Sequence, residues 1–352
     1  MVKYVIKRLL LCVLILFGVS VLLYILIRTM PQDYVDLKMQ AHLQNGTVKQ
    51  EDVDNMKRLY GLSIDYPVDA AGNILTTHIT AFENFFAVFK SYISGYWNWL
   101  YSVFQGDLGL SFKYGRPVGE VIFSYMGISF ALSGIALIFQ FLIGIPLGIL
   151  SATRQYSAMD YTVTVIVLMG ISLPSFFLAM LLLSVFSKTL NWFPYQGLVS
   201  SDKMYTGFRL FIDKAWHMVL PVTTLLLLSI GGNMRFVRTN MLEVLNADYI
   251  RTARAKGCSE KRVVYKHAFR NTLVPIVTGL AGVLPGLFGG AMITETVYAI
   301  PGIGKMALDA MNMGDIPFIM GYNMFLAILS VLGTLLADLA YVLVDPRIKI
   351  TR

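Results

Sequence analysis

Residues 246–275, NADYIRTARAKGCSEKRVVYKHAFRNTLVP, form a basic segment rich in small residues between two long apolar runs. Basic side chains outnumber acidic ones there: Arg251, Arg254, Lys256, Lys261, Arg262, Lys266 and Arg270 stand against Asp248 and Glu260. Such a segment can dock a partner protein at a membrane surface, or it can be an ordinary basic loop that follows the positive-inside rule. The residues of this segment alone do not favour one of these two interpretations over the other.

Within this loop, Tyr249, Ile250 and Ala253 have the i, i+1, i+4 spacing of one helical face. Thr252 and Ala255 are small and would let a partner approach closely. We therefore predict a short helix with a docking face at this position.

Two further residues predict where the short helix ends. Gly257 suits the position after a helix C-terminus, where a positive φ is required. Ser259 can cap the start of a following helix. The pattern predicts a glycine stop and a second helix that leads into the next apolar run.

Residues 302–306, Gly-Ile-Gly-Lys-Met, look like part of a phosphate-binding loop. Such a loop needs a further glycine upstream and Ser or Thr after the lysine, but Ala299 and Met306 occupy those places. We exclude nucleotide binding by this chain. The sequence also contains no Ser/His/Asp set, paired carboxylates or metal-ligand spacing, so we expect a non-catalytic protein without a metal site.

Two acidic residues, Glu295 and Asp338, lie near the ends of apolar runs. Ionisable groups at membrane depth are functional candidates by default. A proton relay would need several such groups in series, so we favour structural hydrogen bonds or ion pairs over a relay.

The apolar run 271–294 is rich in residues that let helices pack closely or bend. These residues are Pro275, Gly279, Gly282, Pro285, Gly286, Gly289 and Gly290. A moving gate and a tightly packed static helix both fit this composition.

The composition indicates an integral membrane protein, with 56% hydrophobic and 14% charged residues, whereas soluble domains carry roughly 25% charged residues. The net charge of +8 comes from basic residues that cluster beside apolar runs, which indicates membrane topology and not a nucleic-acid groove. Six uncharged stretches predict transmembrane helices. They are Leu9–Ile27, a span within Val121–Thr153, Tyr161–Ser187, Ala215–Met234, Asn271–Thr294 and Ile316–Ala337.

The distribution of basic residues predicts that both termini are cytoplasmic. Residues 31–120 then lie outside, and aromatic side chains are frequent in their second half. Aromatic rings favour the headgroup level, so we expect a helix on the membrane or against the bundle in preference to a substrate-contacting cap. The predicted organisation is an N-terminal helix (1–30), an extracytoplasmic segment (31–120) and a core of five helices (121–352).

An ordered set of motifs gives the chain a family resemblance. The chain resembles the permease subunits of bacterial ABC importers, specifically the first, B-type permease of the dipeptide/oligopeptide group. The resemblance rests on the first helix (Arg8–Pro31), GDLGLS (106–111), GRPV (115–118), YIRTARAKG (249–257), HAFRN (267–271), Glu295-Thr296-Val297, PGIG (301–304) and Asp345-Pro346-Arg347.

The resemblance implies an all-α, type I ABC-importer permease fold with six transmembrane helices in a bacterial plasma membrane. Residues 241–270 would then hold the ATPase-coupling loop, which consists of Ala247, Asp248, Tyr249, Ile250, Arg251, Thr252, Ala253, Arg254, Ala255, Lys256 and Gly257. Arg251-Thr252-Ala253 stand where the broader family has Glu-Ala-Ala, which leaves Asp248 or Glu260 to supply the acid that pairs with the ATPase.

The resemblance also implies the partners. They are a homologous second permease, two ABC ATPase subunits that hold ATP and Mg, an extracytoplasmic binding protein, a peptide substrate and membrane lipid, without nucleic acid. Alternative substrates are nickel, oligosaccharide or glutathione. A stand-alone secondary transporter would predict charges in mid-span and an internal repeat, and neither is evident.

Overall fold

The computed structural model describes residues 2–28, 43–46, 49, 51, 81–201, 204–278 and 282–344. Within these ranges the chain is helical apart from loops and an isolated antiparallel bridge between Leu110 and Pro117. In chain order the helices are α1 (Val2–Arg28), α2 (Ala81–Phe104), α3 (Val118–Thr153), α4 (Ala158–Ser172), α5 (Ser175–Leu182), α6 (Gly207–Leu245), α7 (Asp248–Ala255), α8 (Phe269–Thr278), α9 (Val283–Phe288), α10 (Met292–Val297), α11 (Ile303–Met313) and α12 (Ile316–Val344).

Short π-helical stretches extend two of these helices. Leu183–Thr189 continues α5, and Val263–Ala268 joins the single turn Glu260–Arg262 to α8. Four helices in the described ranges, α1, α3, α6 and α12, are long and apolar enough to cross a membrane. They coincide with the first, second, fourth and sixth predicted spans.

The third predicted span, Tyr161–Ser187, is not one straight helix. α4 and the α5 segment meet at an angle of 105°, and together they are apolar enough for one broken span. The break falls at Leu173 and Pro174, which adopt ψ values of 134° and 140°. Proline disfavours the helical conformation of the residue before it, so the helix ends there.

The fifth predicted span, Asn271–Thr294, is also interrupted, which corrects the expectation of a single kinked helix. α9 ends at Phe288, Gly290 has φ +78°, and α10 begins at Met292. Residues 279–281, which include the predicted gate residue Gly279, lie outside the described residues.

The chain forms two compact units, one of Val5–Ser124 with Ala307–Ile328, and one centred on Tyr125–Met306. In the first unit, Trp99 and Leu100 of α2 are buried in a cluster with Tyr24 of α1 and the start of α12. Ser20 of α1 also lies 2.8 Å from the Tyr96 hydroxyl. One face of the aromatic helix therefore packs against α1 and the start of α12.

The unit centred on Tyr125–Met306 holds two hydrophobic clusters. The first joins α3, α5 and α6 to Tyr298 and Ile300. The second joins the C-terminal halves of α3 and α6 to α7 and Val263–Ala268.

Glycines set the distance between α6 and its neighbours. A Cβ on Gly148 would lie 2.7 Å from the Val237 Cβ, and one on Gly170 would lie 2.8 Å from the Leu227 carbonyl oxygen. Such approaches are closer than side chains allow, so these glycines permit tight helix contacts in an apolar setting.

Candidate functional site

The short helix α7 is anchored to the chain's own core. Ile250 is fully buried and Ala253 is 7% exposed. Both belong to the cluster that contains Met241 of α6 and Val263 and Ala268 of the following segment. The face predicted to dock a partner therefore packs inside this chain. Tyr249, predicted to share that face, is 47% exposed.

A glycine stops α7, as predicted. Gly257 has φ +74°, its N–H donates to the Arg254 carbonyl at 2.9 Å, and the Cys258 N–H donates to the Ala253 carbonyl at 3.2 Å. This pair of bonds is the Schellman arrangement, which satisfies carbonyls that a helix end leaves without partners. Ser259 occupies the predicted N-cap position, but its side chain makes no capping hydrogen bond.

The opposite face of α7 is exposed. Its side chains, together with those just after the helix, present polar, basic and small groups: Asp248, Tyr249, Arg251, Thr252, Arg254, Ala255 and Lys256. Ala247, which precedes the helix, is half-buried. The structure thus provides an exposed face that is fixed from beneath by Ile250 and Ala253.

An ion pair joins α7 to the turn that follows it. Arg254 contacts Glu260 through two hydrogen bonds, with Nη2–Oε1 at 2.7 Å and Nε–Oε2 at 3.2 Å. The hydrogen bond from Arg254 holds the pKa of Glu260 below its usual value. Glu260 is thus engaged within the chain. Asp248 is 97% exposed in its side chain and lies 3.5 Å from Arg251, a contact of little energetic weight at the surface.

Glu295 is fully buried and accepts three hydrogen bonds. Its Oε1 accepts from the Ser129 hydroxyl at 2.7 Å and the Ala291 N–H at 2.9 Å, and its Oε2 accepts from the Lys305 N–H at 2.9 Å. The carboxylate ties α3 to the segments on both sides of α10. Structural hydrogen bonding, the favoured prediction for this residue, is what the geometry shows.

The Glu295 carboxylate binds to residues 302–306, the segment that resembles a phosphate-binding loop. The Ile303 N–H donates to Ser129 Oγ at 2.9 Å, so Ser129 and Glu295 together satisfy the N–H groups at the start of α11. A Cβ on Gly302 would lie 2.5 Å from the Glu295 Cδ and 2.6 Å from Ser129 Oγ. The glycines of this segment therefore leave room for the Glu295 carboxylate of the same chain.

The predicted gate residues separate into different environments. Pro275 lies within α8, and Pro285 and Gly286 lie within α9. A Cβ on Gly282 or Gly286 would meet open space, whereas one on Gly290 would lie 2.8 Å from Glu295 Oε1. Gly290 is thus required for packing, and Gly289 donates its N–H to the Pro285 carbonyl at 2.7 Å.

A second buried carboxylate, Asp160, was missed from the sequence. Arg238 of α6 donates to it from Nε at 3.1 Å and Nη2 at 3.0 Å, and the Ser151 hydroxyl and the Tyr156 N–H donate to it as well. The pattern Ser157-x-x-Asp160 is a helix-capping signal and could have identified the local part of this arrangement. The ion pair joins α3, α4 and α6.

Asp315 was also missed, and it organises the other compact unit. It is fully buried and accepts from the Ser111 hydroxyl at 2.5 Å, the Lys113 N–H at 3.0 Å and the Phe318 N–H at 3.2 Å. The GDLGLS segment is thereby fixed to the start of α12. Asp338, by contrast, is half-buried within α12.

Among the described residues, no group of three or more His, Cys, Asp or Glu side chains is placed to hold a metal ion. The apolar helices and the broken spans define a multi-pass membrane protein.

The chain belongs to the family of binding-protein-dependent transport system inner membrane components, whose model matches residues 144–350. It is therefore a permease subunit of an ABC importer, as the resemblance implied. It is 35% identical to the oligopeptide transport system permease protein AppB of Bacillus subtilis over 99% of this chain and 100% of that one. It is 32% identical to the dipeptide transport system permease protein DppB of Alkalihalophilus pseudofirmus, again over 99% and 100%.

A chain from an inward-facing structure of the MetNI methionine ABC transporter aligns with a TM-score of 0.47 at 20% identity. The alignment covers 64% of this chain and 96% of that chain.

Proposed function

We propose that this chain imports di- or oligopeptides, and that the exposed face of α7 receives the mechanical input from an ATPase subunit. Relatives that match its whole length are described as oligopeptide and dipeptide permeases, which supports the substrate class. ATP and Mg would be bound and ATP hydrolysed on the ATPase partners, and this chain would carry no catalytic site.

The observation that carries the proposal is the two-sided character of α7. Ile250 and Ala253 seat the helix in a cluster shared with α3, α6 and the segment before α8, while Thr252 and Ala255 face outward. A helix fixed in this way moves with the spans and cannot slide over them, because densely packed contacts transmit displacement. Displacement of α7 would therefore shift the cluster at the ends of the transmembrane helices.

Such coupling needs an ATPase that binds the two states of the permease with different free energies. Asp248, the more exposed of the two acids, is the better candidate for pairing with the ATPase, since Glu260 is occupied by Arg254. In this proposal α7 lies on the cytoplasmic side of a bacterial plasma membrane, as do both termini. A homologous second permease, two ATPase subunits and an extracytoplasmic binding protein complete the importer.

The coupling proposal is tested in the complete complex reconstituted in lipid. Thr252→Arg and Ala255→Arg place bulk and charge on the exposed face without disturbing Ile250 or Ala253. We expect each to reduce ATP-driven uptake by at least about tenfold, the effect of roughly 1.4 kcal/mol of lost coupling. Ser201→Arg, at an exposed position in the loop before α6, is the control. Unchanged uptake by both α7 variants in fully assembled complexes would refute the coupling site.

The substrate class is tested separately with the wild-type complex. We expect ATP-dependent accumulation of labelled short peptides in the presence of the binding protein. Accumulation of nickel, an oligosaccharide or glutathione with no accumulation of peptide would assign the chain to another branch of the same importers.

A further inference from the structure

A cleft of about 260 Å³ lies among α3, α6 and the interrupted segment around α9. Its lining includes Ser133 and Gln140 of α3, Ser229 of α6, and Gly286 and Gly290. All these residues belong to the unit centred on Tyr125–Met306.

The cleft coincides with a break in helical structure. α9 ends at Phe288, Gly290 has φ +78°, and α10 starts at Met292, so the regular helical hydrogen-bond pattern is interrupted beside the cleft. At membrane depth, non-helical backbone is tolerated only inside protein or along a water-filled cavity. Interrupted helices of this kind are typical of substrate sites in transporters.

Two polar side chains of the cleft make no hydrogen bond within the described residues. They are the amide of Gln140 and the hydroxyl of Ser133, whereas Ser229 donates back to the Leu225 carbonyl at 2.7 Å. The Gln140 side chain offers two N–H donors and a carbonyl acceptor. Gln140 is half-buried in the wall of the cleft, so its polar atoms are open to a ligand or to water there.

We propose that this cleft is the chain's share of the translocation path and that it binds the main chain of the peptide substrate. The Gln140 amide can donate to a peptide carbonyl and accept from a peptide N–H at the same time, and Ser133 supplies a further hydroxyl. The lining carries no ionisable side chain, so it recognises neutral amides and not charged side chains. Recognition of this kind is independent of peptide sequence. The inference rests on the proposed peptide import.

The size of the cleft agrees with a shared path. Pockets for small ligands usually measure about 300–1,000 Å³, so about 260 Å³ holds part of a short peptide. The rest of the peptide would contact the second permease.

A larger cleft of about 460 Å³ between α3 and α6 does not offer the same chemistry. Its lining is apolar except for Thr223, whose hydroxyl donates back to the Val219 carbonyl at 2.7 Å. A peptide main chain placed there would lose its hydrogen bonds to water without replacement.

The test measures peptide uptake by the complete reconstituted importer as a function of peptide concentration. Gln140→Leu keeps a similar volume and removes the amide. We expect the KM for uptake to rise about tenfold, as the loss of two ordinary hydrogen bonds would produce. Gln140→Asn should retain part of the affinity. The matched control is Asn323→Leu, which removes an amide that bonds back to Ile319 of its own helix, and its KM should equal that of the wild type.

A second variant tests the cleft by filling it. A Cβ at Gly286 meets open space, so Gly286→Leu should fold and should impede uptake, whereas Gly127→Leu, equally open but outside the cleft, should not. Wild-type KM in Gln140→Leu, or normal uptake in Gly286→Leu, would overturn the cleft assignment alone. A wild-type complex that accumulates another solute but no peptide would overturn the proposed function as well.

Discussion

Replacement of Glu295 should reveal how strongly one buried carboxylate holds the second half of the chain together. Glu295→Gln keeps the size of the side chain but turns one acceptor oxygen into a donor. Because Oε1 accepts from Ser129 and Ala291 and Oε2 accepts from Lys305, either orientation of the amide leaves at least one buried donor facing another donor.

The magnitude follows from these contacts. A buried donor without a partner costs about 1–3 kcal/mol, so Glu295→Gln should lower the free energy of unfolding by about that amount. Glu295→Ala leaves the N–H groups of both Ala291 and Lys305 without an acceptor and opens a cavity beside Ser129. We expect it to cost ~3–6 kcal/mol, a large part of the ~5–15 kcal/mol that stabilises typical proteins.

The assay is thermal unfolding of the purified chain with its partners in detergent. For a chain of 352 residues, the Gln variant should unfold about 1–4 °C below the wild type and the Ala variant about 4–8 °C below it. Glu243→Ala is the control, since Glu243 is exposed on α6. This substitution should change the free energy of unfolding by less than about 0.5 kcal/mol. A Glu295→Ala protein with wild-type Tm would refute the hydrogen-bond account.

Three further changes probe the site. Gly257→Val should lower the free energy of unfolding by about 1–2 kcal/mol, because φ is +74° at this residue. Gly257→Asn should lower it by less. Equal unfolding temperatures of the two variants would contradict a conformational role for Gly257. Arg238→Met leaves the buried Asp160 carboxylate without its cation and should lower the free energy of unfolding by about 3–5 kcal/mol. Denaturant unfolding should show that adding Asp160→Asn restores part of this stability. Failure of that rescue would argue against the ion pair. The Arg254–Glu260 contact, in which the Glu260 pKa is lowered from 4.5, is fully present above about pH 4.5 and is lost as the pH falls through the lowered value. Protection of the amides at the end of α7, corrected for their intrinsic exchange rate, should therefore fall only in acid or after Glu260→Gln. An equal loss of protection near neutral pH would exclude this cause.

The local features of the site were predictable because their causes are local. The stop at Gly257 depends on the φ of one residue, and the short helix depends on a spacing of a few residues. The error concerned which residues share the buried face. Positions 250 and 253 are three residues apart and lie on one side, whereas Tyr249 is rotated by about 100° from Ile250.

The meaning of the buried face could not be read from the local pattern. An amphipathic helix must cover its apolar side, but the sequence does not say whether a partner or the chain itself covers it. Here Met241, Val263 and Ala268 cover it. Ala253→Arg is therefore expected to disrupt this chain's own core.

The partners of the buried acids depend on tertiary structure. Glu295 was a candidate for structural hydrogen bonding from its position alone, but Ser129 is 166 residues away along the chain. Asp160 and Arg238 are likewise 78 residues apart. The break at Leu173 and Pro174 did carry a direct sequence signal, since proline restricts its preceding residue, but the hydropathy pattern concealed it.

In the proposed importer, Thr252 and the rest of the exposed face of α7 lie against an ATPase subunit. A thiol introduced by Thr252→Cys, measured above the labelling of Cys12 and Cys258, can be probed with a maleimide in inside-out membranes with and without the ATPase subunits. We expect rapid labelling without the ATPase and strong protection with it, while a Ser201→Cys thiol stays inaccessible from that side in both samples. Equal labelling of the Thr252→Cys thiol in the presence and absence of assembled ATPase would contradict docking of the ATPase on α7.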